Sequence, residues 1–395
     1  MQKTDLSHER QQFLVPLTTH PGAFGLVPPP TPTHLQLPGL RGEVPRAHEA
    51  LGALQAATAA LPNRNLVTRT LDRREAVRSS QIEGTSSDVG DVLTYEATGS
   101  DEGLPADVVV TFNYVKSLEY GLQKVAQDGI KALTCDLIQE LHARLMDGVG
   151  GYGDTPGQFR TRQNWIGGLR IYDAKFVPPP ADRVTGCLED LIRVLQYVPD
   201  QEDFYEVPLV MRLAIVHAQF ETIHPFIDGN GRVGRIILPL MLAAEGYPPV
   251  YLAGFLKANQ QMYYQTLGAV QLRGEWTEWV RFLATGVEVA CRESIQMAKD
   301  LTAVVERWKE ALATLKLRAD AAVYRLPDFL IGTPVVTVNQ VMKGLGIAFP
   351  AANRALTQLY DLGVVEALKE QKRNRTFVAR EVIEILNRPT PMDLQ

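Results

Sequence analysis

The sequence predicts a mainly α-helical chain with one small β-hairpin and a C-terminal winged helix-turn-helix. Three observations carry that expectation. Apolar residues recur every three or four positions from Pro45 to about residue 320, the period of helices with one buried face. A single loosely alternating stretch with central glycines, Gln158 to Tyr172, interrupts them and suggests a hairpin. Beyond residue 330 the pattern changes to two short helices and two short extended runs around a charged turn.

Composition sets outer bounds. A chain of 395 residues can bury two or three separate cores, and 45% apolar with 22% charged residues is ordinary for a soluble protein. A net charge of -5 argues against a protein that coats nucleic acid, while leaving room for a local basic patch. Cys135, Cys187 and Cys291 are odd in number and lack metal-ligand spacing, which suits a reduced cytoplasm. The polar start, Met1 to Arg10, lacks the apolar run of a signal peptide. The most apolar stretch, Ile236 to Leu256, is broken by Glu245, Gly246, Pro248 and Pro249, so it suits a buried helix and turn and no membrane span is expected.

In chain order, residues 1 to about 45 hold Pro28 to Pro30, Pro32 and Pro38, which favour extended backbone over a surface. Ala47, Leu51, Leu54, Ala57 and Leu61 set a helix that Pro62-Asn63 ends. Leu66 to Gln81 is the next helix and runs into Ser79-Ser-Gln-Ile-Glu83-Gly84. Gly84 can terminate it in the left-handed conformation, leaving Glu83 in the last turn. The helix dipole disfavours a carboxylate there unless a cation holds it.

Asp88 to Glu96 and Ala106 to Gln127 continue the helical pattern. Ile130 to Asp147 carries a stripe of Leu133, Leu137, Leu141 and Leu145, with Thr134 suited to cap an internal start. A glycine-rich loop, Gly148 to Gly157, leads to the hairpin, which Val177 to Pro180 closes; Ala181 to Val198 is helical. Tyr205 to Thr222 places Leu209, Leu213, Val216 and Phe220 on one face. Helix resumes near Gly231 and reaches Ala244, with Pro239 predicting a kink or a tightened start. Asn259 to Val270 and Trp276 to Leu315 follow.

At the end, Val336 to Leu345 and Pro350 to Leu362 are the paired helices, and Gly363 to Lys369 and Thr376 to Ala379 are strands flanking Glu370 to Arg375. The expected domains are 1–100, 101–320 and 330–390.

Between the two central helices lies His224-Pro-Phe-Ile-Asp-Gly-Asn-Gly-Arg-Val-Gly-Arg235. Gly229, Gly231 and Gly234 match G-x-G-x-x-G, but a dinucleotide fold requires a strand before them, and here a helix precedes. An EF-hand starting at Asp228 would put Val233 at its sixth position and Pro239 at its twelfth, where glycine and glutamate belong. What remains is an anion nest at a helix start, where the N–H groups around Gly229 and Gly231 and the positive helix end receive phosphate. Arg232 and Arg235 lie three apart on one side of that turn. Asp228 suits Mg²⁺ as a hard oxygen ligand, and His224 suits taking a proton from a hydroxyl.

This stretch resembles the Fic family, whose motif is HPFx(D/E)GNGRxxR, and every fixed position is matched. The resemblance implies a Fic-type helical core that transfers AMP from ATP to a Ser, Thr or Tyr hydroxyl of a target protein. It makes His224 the general base and Asp228 the Mg²⁺ ligand. Gly229, Asn230 and Gly231 would line an anion hole for the α- and β-phosphates, and Arg232 and Arg235 would neutralise the β- and γ-phosphates. Phe226 would anchor the loop. The implied nucleotide-binding run is Asp228, Gly229, Asn230, Gly231, Arg232, Val233, Gly234 and Arg235.

The resemblance reaches further. Phe159 to Gly168, with Asn164, Trp165, Ile166 and Gly167, looks like the family's flap, which docks a target segment by strand addition. Tyr263-Tyr264 matches the position whose tyrosine, Tyr263, lines the nucleoside pocket. Ser79-x-x-x-Glu83-Gly84 matches the inhibitory helix (S/T)xxxE(G/N), in which Glu83 would pair with Arg235 where the γ-phosphate must sit. The proline-rich start and the winged end are also similar to long Fic proteins; Pro239 departs from the pattern.

These expectations name ATP, an unidentified target protein and the chain itself as partners, with a homodimer contact at the wing as a further option. On the same fold the reaction could instead be removal of AMP, with Glu83 orienting a water, or transfer of another phosphate-containing group. A different class of function is DNA binding through the winged helix with the core as sensor. Lys369, Lys372, Arg373 and Arg375 support it, but Ala351 to Leu362 offers only Arg354, opposed by Asp361. A solvated wing or dimer contact is the favoured expectation.

Overall fold

The computed structural model describes the chain except residues 36, 38, 41, 62–63, 198–206, 369–374 and 391–395, and the side chains of 64–67. The chain divides into two compact units, Met1–Ala53 with Lys116–Cys291, and Leu54–Val115 with Arg292–Thr390.

The first unit is built around the helix Leu209–Ile223, in which every residue except Met211 is buried. A helix this apolar over most of its circumference belongs in a core. It packs against Val184–Leu195 and against Asn230–Ala244, which begins just after the motif loop. Trp279, at the start of the helix Trp276–Ala313, fastens it by donating Nε1–H to Ala214 O at 2.8 Å. The helix expected from Ile130 starts only at Cys135, at the internal cap, where the Thr134 hydroxyl accepts from the Leu137 N–H; residues Gly129–Ala132 form a separate 3₁₀ turn. Asn230–Ala244 is helical straight through Pro239, which removes the N–H that Arg235 O would have accepted.

The proline-rich start departs from a purely extended course. Leu14–Pro16 pairs antiparallel with Phe24–Leu26, Val15 opposite Gly25. Three residues per strand are too few for a period of two to register in the sequence. After this hairpin the described residues as far as Gly42 lie outside helix and strand, tied down by Gln219 Nε2–H to Pro29 O at 2.8 Å and by Thr31 N–H to Asp190 at 2.5 Å. The hairpin expected at 158–172 is minimal and shifted, with one bridge between Ile166 and Phe176.

In the second unit, the helix Arg64–Ile82 ends as the sequence predicts. Gly84 is left-handed at φ 91, and Thr85 N–H reaches back to Ser80 O, a Schellman closure with Glu83 at the cap. Arg73 holds Glu96, on the helix Val89–Thr98, with two bonds of 2.7 and 3.0 Å. Burial opposes ionisation of Glu96, but the charges and bonds of Arg73 and Arg69 outweigh it and keep the carboxyl below its ordinary range. Arg74 and Arg78 donate to Leu386 O, Asn387 O and Arg388 O at the end of the helix Arg380–Asn387, where guanidinium groups satisfy otherwise unpaired carbonyls.

The C-terminal elements of this unit are the helix Leu326–Gly332, strand Val335–Thr337, helices Val338–Leu345 and Phe349–Asp361, and strands Glu366–Ala367 and Thr376–Val378. Thr376–Val378 lies between the other two strands, antiparallel to both. Val335–Thr337 was not anticipated as a strand, and the run from Gly363 is extended only at Glu366–Ala367. The expected breaks and ends at Pro38, Pro62-Asn63, Val198 and Tyr205, and the charged turn at 370–374, lie outside the described residues. No described helix is long and apolar enough to cross a membrane.

Gly121 marks a close helix crossing of the first unit: an added Cβ would stand 2.6 Å from Leu240 Cδ1 and 3.1 Å from Leu141 Cδ2. Both leucines are fully buried, so their methyl groups would have to shift within a packed core. Gly121→Ala gains up to about 1 kcal/mol of helix propensity, yet overpacking costs about 1–3 kcal/mol. We expect a net loss of stability in urea denaturation, and a gain would show that the crossing can widen.

Candidate active site

The motif loop joins the end of one buried helix to the start of another, and its backbone is held group by group. His224 caps Leu209–Ile223 in the left-handed conformation, φ 49 and ψ 62, with its N–H on Phe220 O at 2.9 Å. Such a conformation costs a non-glycine residue about 1–2 kcal/mol, so its surroundings must enforce it. They do so through the carbonyls. Buried Arg160 donates Nε–H to His224 O at 2.9 Å and its backbone N–H to Pro225 O at 2.9 Å. Its Nη2 reaches Pro179 O at 2.6 Å and Ile223 O at 3.4 Å. Burial lowers the Arg160 pKa to about 10, still well above neutrality, so the group stays a cation.

Asn230 makes a two-way bridge to Phe226. Its Oδ1 accepts the Phe226 N–H and its Nδ2 donates to Phe226 O, both at 2.8 Å. Asn164, from the flap, donates to the same oxygen at 2.9 Å. The Asp228 carbonyl bonds to His142 Nε2 at 3.0 Å. His142 Nδ1 accepts the Gly157 N–H at 2.9 Å, so the ring proton is on Nε2 and is donated to Asp228 O. The His142 ring also stacks on Phe226, centroids 3.7 Å apart and nearly parallel. Burial holds this histidine neutral, with a pKa lowered to about 4.

The N–H groups are treated in the opposite way. Gly229, left-handed at φ 80, gives its N–H to Asp228 Oδ1, and the first helical bond runs from Val233 N–H to Gly229 O. The N–H groups of Asn230, Gly231 and Arg232 therefore precede the helical ladder, at its positive end. Arg232 is buried beside them with Nη2 3.5 Å from Asp228 Oδ2, and its Nε has no acceptor among the described residues. Three amides and a buried guanidinium make an anion site.

His224 leaves 20% of its side chain exposed, with Nδ1 3.7 Å from Glu221 Oε2. The Asp228 carboxylate is 64% exposed. Among the described residues no cluster of three or more His, Cys, Asp or Glu could cage a metal. One open carboxylate beside an anion site does fit Mg²⁺, which is commonly held by one or two carboxylates plus substrate phosphates.

Gly234 and Arg235 look inward. A Cβ on Gly234 would stand 2.6 Å from Glu221 Oε1. Gly234 O accepts from His217 Nδ1 at 3.3 Å, so His217 Nε2 accepts the Tyr263 hydroxyl at 2.9 Å. Tyr263 is only 1% exposed and its ring packs against His217 and Trp279, whereas neighbouring Tyr264 is half exposed. Arg235 is 2% exposed. Burial, and then the Arg235 charge, lower the His217 pKa to about 3.

The loop thus brings His224, Asp228 to Arg232 and Asn164, from the segment expected to be the flap, into one place. Ile166 carries the flap bridge, Trp165 bonds Gly168 O at 3.4 Å, and Gly167 is left-handed at φ 70. Tyr263 is linked to Gly234 O through His217. Ser79, buried, and Glu83, exposed, belong to the second unit. Sequence patterns missed His142, Arg160 and His217, which act on backbone atoms. The one available signal was a polar residue inside an apolar stripe, His142 beside Leu141.

Two family models match the chain: "Fic/DOC family N-terminal" over residues 42–123 and "Fic/DOC family" over residues 132–242. "Protein adenylyltransferase fic-1" of Caenorhabditis briggsae is 31% identical over 169 residues, 42% of this chain and 30% of that protein. "Protein adenylyltransferase Fic" of Drosophila grimshawi is 32% identical over 156 residues, 40% and 29% of the two chains. The chain thus spans about 30% of the length of these relatives. A solved Fic family protein from Desulfovibrio desulfuricans superposes with a TM-score of 0.50 at 21% identity, covering 88% of this chain and 98% of that one. A Fic domain containing signaling protein from Bacteroides thetaiotaomicron gives 0.53 at 19%, covering 65% and 97%. At these identities the two structures speak for the fold alone.

His217 predicts a pH dependence. Its folded pKa lies below its unfolded value of 6.5, so between pH 6.5 and about 3 the unfolded chain binds the extra proton. The stability is fully present above pH 6.5 and is lost as pH falls, by about 1.4 kcal/mol per unit. Denaturation of the parent and of His217→Gln at pH 7 and pH 5 should show the parent losing about 2 kcal/mol more over that interval. Equal losses would mean His217 is not held neutral.

Proposed function

This chain belongs to the Fic/DOC family, and on that premise we propose that it is a protein adenylyltransferase, moving AMP from ATP to a Ser, Thr or Tyr hydroxyl of a target protein. The observation that carries this is the loop's backbone: carbonyls held by side-chain and backbone donors, and three successive N–H groups left at a helix start beside His224 and Asp228. An enzyme of this kind needs a rigid polyphosphate cradle next to a proton acceptor.

In the proposed reaction the amides of Asn230, Gly231 and Arg232 bind the α- and β-phosphates, and Arg232 and Arg235 counter the β- and γ-charge. The target hydroxyl attacks the α-phosphorus in line with the pyrophosphate. His224 takes the hydroxyl proton as the new P–O bond forms, and pyrophosphate leaves with the electron pair of the broken bond. Mg²⁺, when bound, supplies charge neutralisation and phosphate orientation, with Asp228 as its protein ligand. The flap from Asn164 to Gly167 presents the target segment by strand addition; Tyr263 is buried, so it backs the half-exposed Tyr264 ring, which borders the nucleoside.

We also propose that the Arg64–Ile82 helix is inhibitory, Glu83 competing with the γ-phosphate for Arg235. Its support is the matched Ser79-x-x-x-Glu83-Gly84 pattern and the Schellman closure, which leaves a carboxylate at a carbonyl-rich helix end. The C-terminal segment is proposed as a winged helix-turn-helix, supported by its helix and strand order with Thr376–Val378 central. DNA binding is the less favoured role for it. Of its basic candidates, Lys369, Lys372 and Arg373 lie outside the described residues, and Arg375 lies over the Phe377 ring. A cytoplasmic site of action suits the free thiols Cys135, Cys187 and Cys291.

Incubation of purified protein with labelled ATP and Mg²⁺ tests the assignment. His224→Ala should abolish AMP transfer, chelation of Mg²⁺ should do the same, and Glu83→Gly should raise transfer at least about tenfold. Mass spectrometry of the Glu83→Gly protein would locate any AMP on the chain itself. No gain from Glu83→Gly removes the inhibitory role. AMP release from a modified protein, with no transfer in either variant, reverses the direction of the reaction.

A further inference from the structure

We infer that His142 is a positioning residue for Asp228, and that through it the glycine-rich loop 148–157 sets the geometry of the metal-binding carboxylate. The role in metal binding rests on the function proposed above; the structural coupling does not.

Three contacts fix the imidazole. Nε2–H donates to Asp228 O at 3.0 Å, Nδ1 accepts from Gly157 N–H at 2.9 Å, and the ring lies flat on Phe226. The Gly157 contact is itself forced. Gly157 is left-handed at φ 85, and an added Cβ would stand 3.0 Å from both Gln139 O and Ala143 Cβ. The loop therefore presses on the helix Cys135–Leu145 within one turn of His142. On the other side, Asp228 is the last residue before left-handed Gly229, and its carboxylate accepts the Gly229 N–H. Pinning Asp228 O fixes the plane of the 228–229 peptide, and hence both the Gly229 N–H and the carboxylate it holds. Conformational freedom in the carboxylate is what a metal ligand must lose, and the ligand's outer partners commonly change metal affinity 10- to 100-fold.

Tyr152 supports the same coupling. Its ring is 5.8 Å from His142, and its buried hydroxyl has no hydrogen-bond partner among the described residues. The loop thus packs a second ring against His142.

The alternative is that His142 only packs. Two variants of the full chain separate these roles: His142→Phe keeps the flat stack and removes both hydrogen bonds, and His142→Gln keeps a donor without the ring. Amide exchange read by mass spectrometry needs no nucleotide. In His142→Phe, segment 225–231 should exchange at least about tenfold faster than in the parent, while 209–223 is unchanged. Unchanged exchange at 225–231, or equal acceleration in both segments, overturns the inference.

ATP affinity with and without Mg²⁺ is the second readout. The Phe variant should weaken binding about tenfold more with Mg²⁺ than without it, and the Gln variant should recover part of that difference. Equal weakening in both conditions overturns the metal-orienting role. A parent chain that binds no ATP at all defeats the proposed function, and the exchange result still decides the coupling.

Discussion

The structure depends most on a separation of backbone polarity within one loop. Between Ile223 and Asp228, five carbonyl oxygens accept from Arg160, Asn164, Asn230 or His142. Immediately afterwards three N–H groups are left outside the helical ladder. Peptide groups are dipoles, and a loop with randomly oriented dipoles would present no net field to a phosphate. Fixing the carbonyls away and the amides forward turns neutral backbone into a preorganised positive surface that requires no rearrangement on binding. The left-handed His224 is the conformational cost of that turn, and the contacts around it offset the cost.

The first unit is arranged to supply those donors from rigid places. His142 comes from an amphipathic helix that Thr134 caps, Asn230 from the first turn of the following helix, and Arg160 from a segment fastened to the loop backbone. Behind the loop, His217 relays a hydrogen bond from the Tyr263 hydroxyl to Gly234 O, so the second helix cannot rotate without breaking a buried pair. Neutral histidines serve both places because an imidazole can donate on one side and accept on the other, provided burial keeps the second proton off.

Much of this was legible in the sequence, and the division follows a physical line. Side chains proposed to act directly, such as His224, Asp228 and Arg232, stand in a spacing that announces an anion site. The Gly84 terminator and the Thr134 cap were also readable, because capping is local chemistry. Long-range donors were not. Nothing near Arg160 in the chain indicates that its partners in the motif loop are 63 to 65 positions away, nor that His142 would meet a carbonyl 86 residues on. Strands of three residues, such as Leu14–Pro16 and Val335–Thr337, fell below the length at which alternation is visible.

The borrowed donors also say what is portable in this protein. A twelve-residue motif looks like a unit that could be moved to another scaffold, yet only one of its backbone-carbonyl clamps, Asn230, travels with it. The others come from residues 142, 160 and 164. Grafted alone, the motif would keep its reactive side chains and lose the field they work in. The smallest piece that carries these carbonyl clamps runs from Thr134 through Ala244, an interval in which Asn164 and its neighbours serve as a structural brace.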